Sequence, residues 1–255
     1  MHQRATASFL QQPESLMDKH YLTPLFEPET IAVFVGNTDT PDLQIPQARA
    51  LVAALTAQRF SGNLVFLDIH TTGTLADLAQ TRADLAIIVL PPAEAIEALE
   101  LAGRIKCRAA LVVGSGIPAD RALDMHRVAR RHGMHLLGPN SMGFQRTRSG
   151  LNASVAGPLT QPGPLALVSQ SGALTASILD WASLNAVGFS TVVSLGPNTC
   201  VDIAQVLDYL ASDAQTHSIV VYMEGISNAR RFMSALRAAA NAKPCLLYTS
   251  PSPRD

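Results

Sequence analysis

Apolar positions in this chain fall into short continuous runs, and the stretches between them carry a helical rhythm. Runs at 31–35, 64–67, 84–90, 109–113 and 134–137 read as strands. Between the first two, Ala48, Leu51, Val52 and Leu55 share one face of a helix expected over 47–58. Further helices are expected over 94–106 and from Pro118 to about His132, where a proline suits the first turn. Strands that are apolar throughout are buried on both faces. Their alternation with helices therefore implies a parallel sheet covered on both sides. Gly138-Pro139-Asn140 is expected to stop the fifth strand.

The rhythm breaks over 141–163, where Gly143, Gly150, Gly157, Pro158, Pro162 and Gly163 read as turn residues. It restarts with strands near 165–168, 189–193 and 218–222 and helices near 172–186, 201–211 and 228–241. On the first of these helices Leu174, Ile178, Trp181 and Ala182 recur at helical spacing, with Ser177, Asp180 and Ser183 opposite. The expected plan is α/β throughout: a polar leader at 1–28, a first domain over 29–145, a linker over 146–163 and a second domain over 164–244. A parallel sheet normally continues with a strand after the helix ending at Lys243-Pro244, so the chain is expected to be cut inside its second domain. Residues 245–255 back-translate to a string resembling a transposon-type sequencing adapter and are expected to be foreign. A genuine polar tail is the other reading of their Pro and Ser content.

Composition narrows the function classes. With 255 residues, 47% hydrophobic and 15% charged, the chain can bury two ordinary cores and is too apolar for disorder. A formal net charge of -1 makes no electrostatic case for nucleic acid or an anionic membrane. No apolar run reaches a membrane span, and residues 1–20 lack the core of a signal peptide, so a cytoplasmic location is expected. Cys107, Cys200 and Cys245 have no metal-ligand spacing, and no metal site is expected.

In open parallel sheets ligands bind at the carboxyl ends of the strands. Four such ends carry small or turn-forming residues: Gly36-Asn37-Thr38, Leu90-Pro91-Pro92, Gly114-Ser115-Gly116 and Gly138-Pro139-Asn140. Each alone is explained by turn geometry; four on one edge point to a binding site. Gly36 opens no G-x-G-x-x-G pattern, which argues against a standard dinucleotide loop and leaves a nucleotide-bearing cofactor in a variant loop open. In the second half, Ser169-Gln170-Ser171-Gly172 joins an apolar strand directly to a helix. Unpaired N–H groups and the positive end of the helix dipole make this a candidate phosphate or carboxylate cradle. An ordinary serine N-cap with a glycine turn explains the same residues. Of the seven histidines, His126 and His132 fall on a helix, His135 enters a strand and His217 precedes one; none sits in a glycine-rich loop.

Gly138-Pro139-Asn140-Ser141-Met142-Gly143, Ser169-Gln170-Ser171-Gly172 and Tyr222-Met223-Glu224-Gly225, in this order, resemble the NDP-forming acyl-CoA synthetases, relatives of the succinyl-CoA ligase alpha subunit. Ser194-Leu195-Gly196 with Asn198 and Asp202 extends the likeness, although Pro197 interrupts the usual Gly-Asn step. The resemblance spans about 24–244. It implies a Rossmann-like CoA-binding domain followed by an incomplete flavodoxin-like domain that helps carry a phosphohistidine. It further implies that Gly36, Asn37, Thr38, Pro91, Pro92 and Asn140 bind CoA or an acyl-CoA. The family's Gly-Ala-Ser reads Gly36-Asn37-Thr38 here. By the same resemblance Ser169, Gln170, Ser171 and Gly172 hold phosphate, and Glu224 orients a histidine that this chain does not supply. ATP or ADP and Mg would enter only through an ATP-grasp region of the same parent chain or a beta subunit. The implied reaction takes acyl-CoA, ADP and phosphate to acid, CoA and ATP, and the fragment alone is expected to be inactive.

A narrower likeness links Gly150-Leu151-Asn152-Ala153-Ser154, Ile178-Leu179-Asp180-Trp181-Ala182 and Ala229-Arg230-Arg231-Phe232 to bacterial protein lysine acetyltransferases. Those join a synthetase-like region to a GNAT-type domain, and the likeness implies a non-catalytic acyl-CoA sensor. An NAD-binding Rossmann protein is the third reading. Homo-oligomerisation, the acyl group and the nucleotide are left open.

Overall fold

The computed structural model describes residues 19–36, 45–69, 82–197 and 199–250. The first sheet contains β1 (Thr30–Phe34), β2 (Asn63–Leu67), β3 (Leu85–Ile88), β4 (Ala109–Val113) and β5 (His135–Ser141), in the order β2-β1-β3-β4-β5. All four pairings are parallel. Alternate residues of the central strands enter different cores. Ile31, Val33, Leu85 and Ile87 face one side, and Ala32, Phe34, Ala86 and Ile88 face the other. This two-sided burial explains why the strands read as continuous apolar runs. The short α1 (Thr23–Phe26) precedes β1; α2 (Pro46–Ala57), α3 (Pro92–Arg104) and α4 (Ala119–Arg131) complete this half.

The second half contains β6 (Gly143–Arg146), β7 (Leu151–Ser154), β8 (Pro162–Ser169), α5 (Gly172–Leu184), β9 (Phe189–Ser194), α6 (Ile203–Ser212), β10 (Ser218–Met223), α7 (Ala229–Ala242) and β11 (Cys245–Thr249). Its sheet order is β11-β10-β8-β9-β6-β7. Strands β8 to β11 pair in parallel, whereas β6 runs antiparallel to both β7 and β9. Both halves are therefore α/β, as expected.

Three sequence expectations need correction. Gly138-Pro139-Asn140 does not stop the fifth strand, which continues to Ser141 through a register shift opposite Leu111 and Val113. Gly138 makes this passable: it sits at φ 90, and a Cβ there would meet the Val112 carbonyl oxygen at 2.4 Å. Residues 146–163 are not a linker, because they share the β6–β7 hairpin and the start of β8. Phe144, Leu151 and Ala153 are buried in the core, while the buried partners Gln145, Arg146, Asn152 and Ser154 are polar. Polar side chains that find partners within the fold, Gln145 at Pro158 O, Arg146 at Asp213 and Asn152 at Gly157 O, hid the strand signal. Trp181 does not face the core: α5 buries Thr175, Leu179 and Ala182, and Trp181 is 57% exposed. After α7, Cys245–Thr249 pairs with β10 as β11, at the place where a parallel sheet continues. An apolar, β-prone Leu-Leu-Tyr run suffices for that pairing.

One core runs through both halves. It joins Val33 and Ile87 of the first sheet to Phe144 and Leu151 of the hairpin and to Val168, Val193 and Leu207 beyond. A polar knot sits beside it. Arg146, 1% exposed, donates to Thr191 Oγ1 at 2.6 Å, Asp213 Oδ2 at 2.8 Å and Glu27 Oε1 at 3.0 Å. The Tyr209 hydroxyl donates to the same Glu27 oxygen at 2.6 Å, and Thr216 Oγ1 donates to Asp213 at 2.7 Å. A buried guanidinium tolerates desolvation only when its donors are matched in this way. The arrangement ties the segment before β1 to the hairpin and to the loop after α6.

Candidate functional site

Because the first sheet is wholly parallel, the carboxyl ends of β1, β3, β4 and β5 share one edge. Gly36 follows β1 at φ 84, and among the described residues a Cβ there would meet only Leu90 Cδ2, at 3.9 Å. The ends of β1 and β3 thus touch. Pro91 caps α3 through its carbonyl, which accepts the Ala95 N–H at 2.8 Å, and Pro92 is the first helical residue. Gly116, after β4, has φ 70, and a Cβ there would have nothing within 4 Å. Asn140 lies on β5 at φ 61. Its Oδ1 accepts from Ile117 N at 2.9 Å and its Nδ2 donates to Ile117 O at 3.0 Å. Gly36 and Asn140 are three strand positions apart, about 14 Å at the usual inter-strand spacing. Asn37 and Thr38 lie outside the described residues. Glu94 and Asp120 occupy the first turns of α3 and α4. They favour the helix dipoles, and an anionic group at those helix starts would meet them.

A second edge is formed by the ends of β8, β9 and β10, where α5, α6 and α7 begin. The Ser169 side chain is fully buried and closes a local turn. Its hydroxyl donates to Ser171 O at 3.0 Å and accepts from Ser171 N at 3.1 Å. Ser171 is the α5 N-cap and accepts from Leu174 N. Both hydroxyls therefore do structural work, as the capping alternative requires. Gly172 packs under Met142, whose sulfur would lie 2.6 Å from a Cβ. Gln170 reaches across to the next strand end: its Oε1 accepts from Glu224 N at 2.7 Å and Gly225 N at 3.0 Å, and its Nε2 donates to Gly225 O at 2.9 Å. The serine turn and the Glu224 segment are thus brought together through Gln170, with Glu224 itself exposed. Asp202 caps α6 with a reciprocal Gln205 contact, and Asn228 caps α7. Three helix starts at one edge concentrate N–H groups and positive dipole ends there.

The two edges meet. A Cβ on Gly196, after β9, would lie 2.0 Å from the Asn140 carbonyl oxygen. Gly138 N donates to Thr199 Oγ1 at 2.9 Å, and Ser141 Oγ donates to Ser194 O at 2.5 Å. Ser141, Gly196 and Thr199 carry this junction and were not singled out for it from sequence. Nothing about a lone serine or glycine in the chain signals a partner some fifty residues away.

Comparison with known proteins assigns a class to both halves. Residues 65–147 match the CoA binding domain family, and residues 162–254 match the succinyl-CoA ligase like flavodoxin domain family. The chain is 38% identical over 170 residues to the ADP-forming acetate–CoA ligase I of Archaeoglobus fulgidus, covering 64% of this chain and 25% of that protein. It is 35% identical over 170 residues to the alpha subunit of ADP-forming acetate–CoA ligase I of Pyrococcus furiosus, covering 64% of this chain and 37% of that subunit. The structure superposes on the dinucleotide-forming acetyl-coenzyme A synthetase 1 of Candidatus Korarchaeum cryptofilum, solved with phosphate and ADP. The TM-score is 0.80 at 25% identity, over 89% of this chain and 51% of that one. A protein of Pyrococcus horikoshii OT3 superposes with a TM-score of 0.82 at 26% identity, over 91% and 55%. Together these matches support the NDP-forming acyl-CoA synthetase family. The chain spans only between a quarter and about two fifths of the curated relatives cited.

Proposed function

We propose that this chain supplies the CoA-binding side and part of the phosphate side of an ADP-forming acid–CoA ligase of the acetate type. The observation that carries this reading is the junction of two strand-end edges. One is lined by the Gly36, Pro91 and Gly114–Ile117 loops, and the other by three helix starts around Gln170, within a chain whose halves match CoA-binding and succinyl-CoA-ligase-like domains. Among the described residues Gly116 leaves open space at the first edge, which suits the close approach of an extended thiol cofactor. In this reading Gly36, Asn37, Thr38, Pro91 and Pro92 line the CoA or acyl-CoA site. The N–H groups at the start of α5, at Gly172 and Ala173, receive phosphate beside the Ser169–Gly172 turn.

Glu224, exposed at the end of β10, is the carboxylate that would orient an incoming imidazole. A histidine nucleophile would come from a glycine-rich loop elsewhere in the parent chain, and ATP or ADP and Mg from an ATP-grasp region or a beta subunit. A CoA ligand also suits a cytoplasmic location; among the described residues no helix is long and apolar enough to cross a membrane.

Isothermal titration of the purified chain with CoA and acetyl-CoA tests the reading. The expected result is saturable binding in the micromolar range or weaker, with a matching rise in the thermal midpoint. No heat and no midpoint shift at about 5 mM CoA would overturn it.

A further inference from the structure

We propose that Asn140 acts on the CoA site as a positioning residue: its amide fixes the β4–α4 loop at Ile117 while its backbone seats Gly196, setting the first edge against the second. The proposal rests on the CoA reading above and replaces the direct CoA contact that the family resemblance implies for Asn140.

Four observations converge on this role. The Asn140 amide makes the paired contact to Ile117 that a neighbouring strand would make with its backbone, at 2.9 and 3.0 Å. A planar amide held at both ends has a fixed orientation, and it fixes the loop that carries Gly114 and Gly116 in turn. Asn140 also sits at φ 61, a left-handed conformation that asparagine tolerates. The next residue continues the brace. Ser141 O accepts from Gly114 N at 3.2 Å, and Ser141 Oγ accepts from Gly143 N at 2.9 Å while donating to Ser194 O. The last step enters the second site, because Leu195 N donates to Ser169 O at 2.8 Å and Gly196 lies against the Asn140 carbonyl. Two adjacent residues therefore bridge a first-edge loop and the strand end beside the serine turn.

Two substitutions separate the amide from the backbone. Asn140→Gly keeps the left-handed conformation and removes both contacts to Ile117. Asn140→Asp keeps the Cβ and the acceptor for Ile117 N but loses the donor to Ile117 O. Calorimetric titration of the full chain with CoA is expected to rank wild type above Asn140→Asp and Asn140→Gly last, with the glycine variant about tenfold weaker. Amides of residues 114–117 are expected to exchange faster in Asn140→Gly without CoA, and partial rescue of both readouts is expected in Asn140→Asp. Where Asn140→Gly lowers the unfolding midpoint, the wild-type and Asn140→Asp pair carries the comparison.

Equal CoA affinity in wild type and variants overturns the proposal and leaves the CoA reading standing. Weaker binding with unchanged exchange at 114–117 also overturns it, because Asn140 then touches CoA directly. Absence of CoA binding by the wild type overturns the CoA reading and the proposal together.

Discussion

Gln170 is bound to the backbone of Glu224: its side-chain oxygen accepts the Glu224 N–H at 2.7 Å and the Gly225 N–H at 3.0 Å. The half-buried amide does for the loop after β10 what a paired strand would do. Gln170→Ala removes these two bonds and the donation to Gly225 O. The expected cost is about 1–2 kcal/mol, since net hydrogen-bond contributions are modest where water can replace the partner. Urea unfolding measures that loss. Faster amide exchange confined to Glu224 and Gly225, with α5 unchanged, would show that Gln170 orders this loop; uniform exchange would refute it.

The Arg146–Asp213 pair makes stability depend on acid. Burial works to raise the Asp213 carboxyl, but the Arg146 hydrogen bond and charge, with the Thr216 hydroxyl and the Gln215 N–H, outweigh it and hold the group below the ordinary aspartate range. A folded-state pKa below the unfolded one stabilises the protein above the unfolded carboxylate range. That stabilisation is lost as pH falls through the folded pKa. The urea midpoint is therefore expected to drop below about pH 4 more steeply in wild type than in Asp213→Asn. Arg146→Met leaves Asp213 buried without its cation and is expected to cost about 3–5 kcal/mol at neutral pH. A smaller loss than that of an exposed arginine control would contradict the buried network.

Gly196 cannot accept a side chain. At φ 71, with a Cβ 2.0 Å from the Asn140 carbonyl oxygen, Gly196→Ala strains the backbone and pushes the two edges apart. A loss of about 2–3 kcal/mol is expected. Gly225→Ala is the control, because a Cβ there meets nothing within 4 Å and is expected to change the midpoint little. Equal effects at the two positions would place the junction elsewhere.

Cys107 is expected to be chemically silent. Burial, then the Asp84 charge, pushes its thiol up to about 12, and it is 2% exposed between α3 and β4. Thiolate, the reactive form, is scarce at pH 8. Iodoacetamide at pH 8 should label Cys107 only after unfolding; Cys200 is exposed, but burial pushes its thiol up to about 11, so its native labelling is expected to be slow rather than absent. Native labelling of Cys107, read by peptide mass, would show that the α3 side of the core opens readily.

The strand–helix alternation was legible in the sequence because burial on both faces writes itself as continuous apolar runs. β4 is found over Ala109–Val113, where its run stands, and the central strands of both sheets lie within a few residues of theirs. The Ser169–Gly172 turn was legible as a strand end opening a helix for the same reason: apolar run, small polar turn and helical repeat are local signals. The β6–β7 hairpin was not legible. Gln145, Arg146 and Asn152 are polar residues whose burial depends on partners such as Pro158, Asp213 and Gly157, which no local pattern announces. The outward turn of Trp181 was hidden too, because spacing defines a helical face without saying which face meets the sheet.

By itself, then, the sequence determined two α/β halves and the loops at their strand ends, since periodicity and turn chemistry are properties of neighbouring residues. Only the tertiary structure decided that the two edges touch through Asn140, Ser141 and Gly196. Such a contact is made by van der Waals exclusion and backbone hydrogen bonds between segments far apart in the chain, and it exists only once both sheets have packed.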